Sequence, residues 1–192
     1  MKDILTELFE NSIKVRIIKL FIRNPQKSFS FNDLTKKIKL RRGEKMLSQI
    51  KKLEKIGFIR KIKEGKSDWV WQLNPEFVFL EELNNLVVKS VPVSNEVLVS
   101  KFKKVKGIKM VVISGVFLNT DNKRVDLFLV GNGVDQKILK RLIRELEAEV
   151  GKEIDYVLLS SDDFIYRRKM FDRFIEDIFE KPHQKIIDKI KE

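Results

Sequence analysis

The chain has 192 residues, 43% of them hydrophobic, with no cysteine and a formal net charge of +12. That length supports one large or two small domains, each able to build a core. The lack of cysteine excludes disulfides, thiolate zinc sites and cysteine nucleophiles, and no apolar run reaches the roughly 18 residues of a membrane-spanning helix, so a cytoplasmic protein with no membrane partner is expected.

The opening MKDILTELFENS carries acids in its first turns and is not expected to act as a signal peptide. Beyond it, SIKVRIIKLFIRN repeats apolar residues at Ile13, Ile17, Leu20 and Phe21, which is helical spacing. Ser12 is the expected N-cap, and Asn24-Pro25 the stop. In SFNDLTKKIKL, Ser30 and Asp33 make a capping-box pattern, so a short helix starts there with Leu34 and Ile38 inward. EKMLSQIKKLEKIG predicts a third helix with Met46, Leu47, Ile50, Leu53 and Ile56 as its stripe and Gly57 as its close. The other face of that helix carries Lys45, Ser48, Gln49, Lys52 and Lys55. FIRKIKEGKSDWVWQLN then predicts a β-hairpin turning at Glu64-Gly65-Lys66-Ser67, with Trp69 and Trp71 as core or interface residues on one strand face.

Charge is placed unevenly along this order. Residues 1–90 hold 20 Lys/Arg against 11 Asp/Glu, and residues 36–66 hold 13 against 3. An excess of that kind points to a polyanion, the alternative being a solvated lysine-rich surface. Three helices followed by a β-hairpin is a winged helix-turn-helix arrangement. In it the third helix enters the major groove. Arg41, Arg42, Lys45, Ser48 and Gln49 are therefore the candidate base-reading residues, and Lys52, Lys63 and Lys66 the candidate phosphate contacts. The phrases "LFENSIKVRIIKLFIRNPQKSFSFNDLTKKI", "QIKKLEKIGFIRKIKEGKSDWVWQLNPEF" and "FLEELNNLVVKS" resemble winged-helix regulators, loosely akin to the ArsR class, that are fused to a nucleotidyltransferase-like domain. ArsR-type metal sites are not supported, since His183 is the only histidine.

FVFLEELNNLVVKS has apolar residues on more than one side, which suggests a homodimer. SNEVLVSKFKKV is expected to be a connecting helix, with Val97, Leu98, Phe102 and Val105 at helical spacing. From residue 108 the pattern predicts strand (108–114), strand (125–131), helix (134–149), strand (153–159), helix (162–179) and a short tail helix. In the helix over 134–149, Ile138, Leu142, Leu146 and Val150 form the expected stripe. Strands alternating with helices predict a small mixed sheet covered by helices.

"DLFLVG", "LIRELEAEVG" and "DDFIYRRKMFDRFIEDIFEKPHQKII" resemble the body of nucleotidyltransferases of the polymerase beta superfamily. The resemblance implies a Gly-Ser turn after the first strand and three carboxylates that hold two Mg²⁺ ions. Gly115 fits the glycine, but Val116 replaces the serine; Asp126 fits one aspartate, but Arg124 replaces its partner; Asp155 fits the third. A cation at 124 is expected to lie about where Mg²⁺ should be. The expected fold class is thus α+β: a winged helix-turn-helix domain (1–90), a connecting helix (91–107) and a catalytically inactive nucleotidyltransferase-like α/β domain (108–192). The expected function is a double-stranded DNA-binding transcriptional regulator, not an enzyme. No cofactor is expected, with Mg²⁺ and a nucleotide called for only if the site is active. Ser114, Gly115, Arg124, Asp126 and Asp155 form a vestigial nucleotide site, able with Lys123 to take a small-molecule or nucleotide effector without metal. The alternatives are an active nucleotidyltransferase acting on protein or RNA, and an RNA-binding or scaffold protein.

Overall fold

Residues 4–39, 45–64, 68–90 and 93–190 are described in the structure, a computed structural model of the chain. They form a mixed α+β protein with a three-stranded antiparallel sheet and a four-stranded mixed sheet. Among the described residues, two compact units are distinguished: one holds 4–90 and 147–152, the other 93–146 and 153–190. No helix among them is long and apolar enough to cross a membrane.

The first unit runs α1 (Ile4–Phe9), α2 (Ser12–Ile22), β1 (Ser28–Ser30), α3 (Phe31–Ile38), α4 (Met46–Lys55), β2 (Ile59–Glu64), β3 (Asp68–Leu73) and α5 (Leu80–Lys89). Its strands lie in the order β1-β3-β2. Asn11, not Ser12, caps α2: its Oδ1 accepts from the Lys14 N–H at 2.8 Å. The Ser30–Asp33 capping box is present, with both reciprocal hydrogen bonds made. Ser30 also ends β1, a strand too short to show in the hydrophobic pattern.

α2 is the centre of this unit. Ile17 and Phe21 are fully buried, and Phe21 meets Phe29 and Phe58 edge to face. Phe58 continues the contact to Phe77, so one aromatic chain links α2, β1 and the segment before α5. On the other side Arg16 donates to the carbonyls of Ile38 and Lys39, at 3.2 and 3.1 Å, where α3 ends. A cation on terminal carbonyls satisfies acceptors that the helix cannot, and it complements the helix dipole. Gly57, at φ +79°, follows α4 in the left-handed conformation that glycine favours.

The second unit holds α6 (Asn95–Phe102), β4 (Ile108–Ser114), a 3-10 turn (Gly115–Phe117), β5 (Leu127–Gly131), α7 (Gln136–Val150) up to residue 146, β6 (Tyr156–Leu159), α8 (Ser161–Lys169), α9 (Arg173–Glu180) and β7 (His183–Asp188). Its sheet order is β6-β5-β4-β7, with β5 and β6 parallel and the other pairs antiparallel. The helix expected within 91–107 is α6, which groups with this unit and has Leu98 and Phe102 fully buried. The expected tail helix is the edge strand β7, whose Ile187 is buried opposite Val111. The single helix expected over 162–179 is two, α8 and α9, broken at Met170–Asp172. In α7 the inward row starts at Leu139 rather than Ile138, which is 37% exposed. Met110, Phe128, Phe164, Ile175 and Ile178 form the core between the sheet and the helices α8 and α9.

Candidate functional site

The basic face comes first in the chain. Lys45 is exposed at the N-cap of α4. Lys52 lies two turns on and is exposed, as are Lys51 and Lys55. Ser48 is half-buried, and its hydroxyl donates to the Lys45 carbonyl at 2.8 Å. Lys63 is exposed on β2. Arg41, Arg42 and Lys66 lie outside the described residues.

Gln49 is a correction. It is buried at 9% exposure, whereas Leu47 and Ile56, expected inside, are 45% and 61% exposed. The inward row is Met46, Gln49, Ile50 and Leu53, at spacings of three or four. The amide of Gln49 therefore faces the core and is not presented to a base edge. Its Oε1 is buried with no hydrogen-bond partner among the described residues.

Trp71 is core at 7% exposure, and its Nε1–H donates to Glu54 at 3.3 Å. Trp69 is 53% exposed. Lys61 pairs across the ladder with Trp71, and its ammonium lies 4.6 Å from the Trp69 ring centre. Lys61 and Trp69 were not among the expected contacts. The register of the hairpin, rather than the order of residues, brings them together.

The second site centres on Asp126, immediately before β5 and only 1% exposed. A carboxylate this deep persists as a charge only if its oxygens are matched by donors. Its Oδ1 accepts from the Val116 N–H at 2.9 Å. Its Oδ2 accepts from the Asp155 N–H at 3.0 Å and from Lys123 Nζ at 2.6 Å. The same ammonium donates to Asp155 Oδ2 at 2.7 Å. Lys123 thus bridges the two carboxylates. Burial pulls its pKa down, but the hydrogen bonds to Asp126 and Asp155 and the charges of both outweigh that and hold it above the usual 10.5.

Gly115 is required by this arrangement. At φ +53°, a Cβ there would run into Asp126 Oδ1 and come within 2.5 Å of Lys123 Cδ. Two further expectations are corrected. Arg124 does not approach the carboxylates: its side chain is half exposed, with Nε 3.9 Å from Asp177 and the guanidinium 5.3 Å from the Phe174 ring. Residues 123–126 are loop rather than strand, so strand alternation does not hold there, and it is Lys123 that this loop brings to the carboxylates. Ser114 is buried and its hydroxyl donates to the Pro182 carbonyl, so it is engaged by the segment entering β7 and does not face a phosphate. His183 is held structurally, with Nδ1 2.8 Å from the Lys181 carbonyl and its ring edge-on to Phe179.

These residues do not fit the Mg²⁺ pair that the resemblance implies. Hard divalent cations need several anionic oxygens free to coordinate. Here the inner carboxylate already accepts from two N–H groups and an ammonium, and that ammonium sits between Asp126 and Asp155, where a cation bridging them would lie. Among the described residues no group of three or more His, Cys, Asp or Glu side chains is placed to hold a metal. Comparison with protein-family models, curated proteins and solved structures finds no match to the chain.

Two outcomes are expected. Lys123→Met strands a buried carboxylate and lowers stability by about 2–3 kcal/mol in denaturant titration, less than for a fully enclosed pair because Asp126 keeps two backbone donors. A raised lysine pKa stabilises fully below the ordinary value of 10.5 and ceases to do so as pH climbs through the folded value. The wild-type advantage over Lys123→Met therefore shrinks on the alkaline side. Gln49→Met removes a buried unpaired oxygen and raises stability by about 1 kcal/mol, while duplex DNA affinity measured by gel shift stays unchanged.

Proposed function

We propose that this chain is a double-stranded DNA-binding transcriptional regulator, a winged helix-turn-helix joined to a nucleotidyltransferase-like domain in which a lysine replaces the metal. The observation that carries the reading is the order α2, β1, α3, α4, β2, β3 with sheet order β1-β3-β2, together with an α4 whose outward face bears Lys45, Lys51, Lys52 and Lys55. In that geometry α4 lies in the major groove and the β2–β3 hairpin flanks it. The exposed lysines neutralise phosphates and set position; they carry no base information by themselves. Base reading falls to the start of α4 and to Arg41 and Arg42 before it.

The apolar side chains left outside around α5 support a dimer. Val78 and Phe79 are 81% and 60% exposed, with Leu86 and Val88 also exposed on α5. A second copy covering them would pair two α4 helices for a two-fold operator. In the other unit, the antiparallel β4–β5 pair, the glycine turn between them and the parallel β6 support the nucleotidyltransferase-like reading. The Lys123 bridge supports its inactivity. An effector would act by binding the DNA-competent and incompetent states unequally.

Two measurements test this. Duplex binding falls linearly in log–log form with salt, and Lys45→Ala and Lys52→Ala each reduce the slope by about 0.9, the value for one lost phosphate contact. Unchanged slopes in both variants, or tighter binding of structured RNA than of duplex at one salt concentration, would overturn the assignment. Incubation with Mg²⁺, labelled nucleoside triphosphates and protein or RNA acceptors transfers no label. Transfer that Asp126→Ala abolishes would show an active enzyme.

A further inference from the structure

The turn between α8 and α9 has features that neither the fold nor the regulator reading uses. α8 closes with the Phe171 N–H donating to the Arg168 carbonyl at 3.2 Å and the Asp172 N–H to the Arg167 carbonyl at 3.0 Å. This is the two-bond helix ending that normally places glycine in the left-handed position. Here that position holds Phe171, at φ +52°. A bulky residue in this conformation is strained. Burial does not offset the strain, because Phe171 is 78% exposed.

Tyr166 and Met170, one helical turn apart, are 66% and 62% exposed beside it. The stretch 166–173 also carries Arg167, Arg168, Lys169 and Arg173 against the single acid Asp172. Asp172 is already committed. Its Oδ1 caps α9 by accepting from Phe174 and Ile175, and its Oδ2 lies 3.4 Å from Arg167. The result is two aromatic rings and a thioether in water, within a local excess of positive charge.

We propose that this turn is a contact surface for unpaired nucleic acid. Tyr166 and Phe171 offer ring faces to bases, and Lys169 and Arg173 meet the phosphates. Charge complementarity selects a polyanion, and the rings select one with exposed flat apolar groups. Arginine among aromatic rings suits both, since its guanidinium binds phosphate and stacks. Three side chains on one turn supply too little apolar area for a bilayer, where even a whole acyl chain alone binds marginally. A stacked base needs only one ring.

The test is fluorescence anisotropy of a labelled oligothymidylate of about 20 nucleotides, long enough to span one such site. It is titrated with the full chain in the presence of saturating unlabelled duplex, so that the face proposed for α4 is occupied. Tyr166→Ala and Phe171→Ala each weaken binding by about tenfold, the loss of one stacked base. Arg173→Ala reduces the salt slope by about 0.7, the single-strand value for one phosphate. Duplex affinity stays at wild type in all three, which separates this surface from the α4 face. Phe171→Gly loses oligothymidylate binding yet melts no lower than wild type, because glycine relieves the left-handed strain. Equal oligothymidylate affinity for Phe171→Gly and wild type would sink the proposal. So would preferential binding of wild type to anionic phospholipid vesicles, lost in the same variants.

Discussion

The buried carboxylate of Asp126 constrains the second unit more than any other group. A charge with 1% exposure must replace its lost hydration with fixed donors, and three separate segments supply them. The turn after β4 gives the Val116 N–H, the loop before β5 gives the Lys123 ammonium, and the residue before β6 gives the Asp155 N–H. Asp126 also joins the ladder through its own backbone, accepting from Ser114 and donating to Asp155. One side chain therefore sets the conformation of the 115–126 loop and the spacing of three strands. Gly115 follows from it, because any side chain there would occupy the volume of the carboxylate and the lysine stem. Structural use and metal ligation compete for the same lone pairs, and three of those on Asp126 are taken by Val116, Asp155 and Lys123.

The first unit solves the opposite problem. Its core is mostly aliphatic and aromatic, and much of its polar matching lies at helix ends: Asn11 at the start of α2, the Ser30–Asp33 box at the start of α3, Arg16 on the last carbonyls of α3. Two polar side chains lie inside, Lys19 of α2 at 1% exposure and Gln49 of α4. The position of Gln49 follows from helical geometry, since residues three and four apart share a face and Met46 and Ile50 are both inward. The unmatched Oε1 is a cost this helix bears.

Which parts were legible in the sequence follows from how local their causes are. The capping box, the glycine after α4 and the strands β2 to β6 depend on residues within a few positions of one another, and each was readable. β1 and β7 were not. Both are held by pairing with a distant strand, and β7 has only one buried side chain to betray its alternation. The break between α8 and α9 carries no glycine or proline, and a phenylalanine takes the left-handed position, so the usual punctuation is missing. In the candidate site, Gly115, Asp126 and Asp155 were singled out by the resemblance to nucleotidyltransferases, and the structure brings the three together. The cation was placed one residue too late, because the path of the loop before β5 decides between Lys123 and Arg124, and composition does not record it.

The same distinction governs what the net charge of +12 means. A lysine hydrogen-bonded to two carboxylates projects no positive field outward, and its group with Asp126 and Asp155 carries a net negative charge. Arg124, next to Asp177 and over a ring, is partly screened in the same way. Lys45, Lys51, Lys52 and Lys55 differ in kind: they are exposed on one short helix. Only cations in that state gather counterions that a polyanion can release, so only they contribute to salt-dependent binding. The formal count treats both classes alike. Sorting them by burial and partner moves the effective positive charge of the described residues away from the carboxylate site and onto exposed cations, those of α4, β2 and the α8–α9 turn among them, with Lys103, Lys104, Lys106 and Lys109 as a further group. A polyanion partner is disfavoured at the carboxylate site and consistent with the exposed groups.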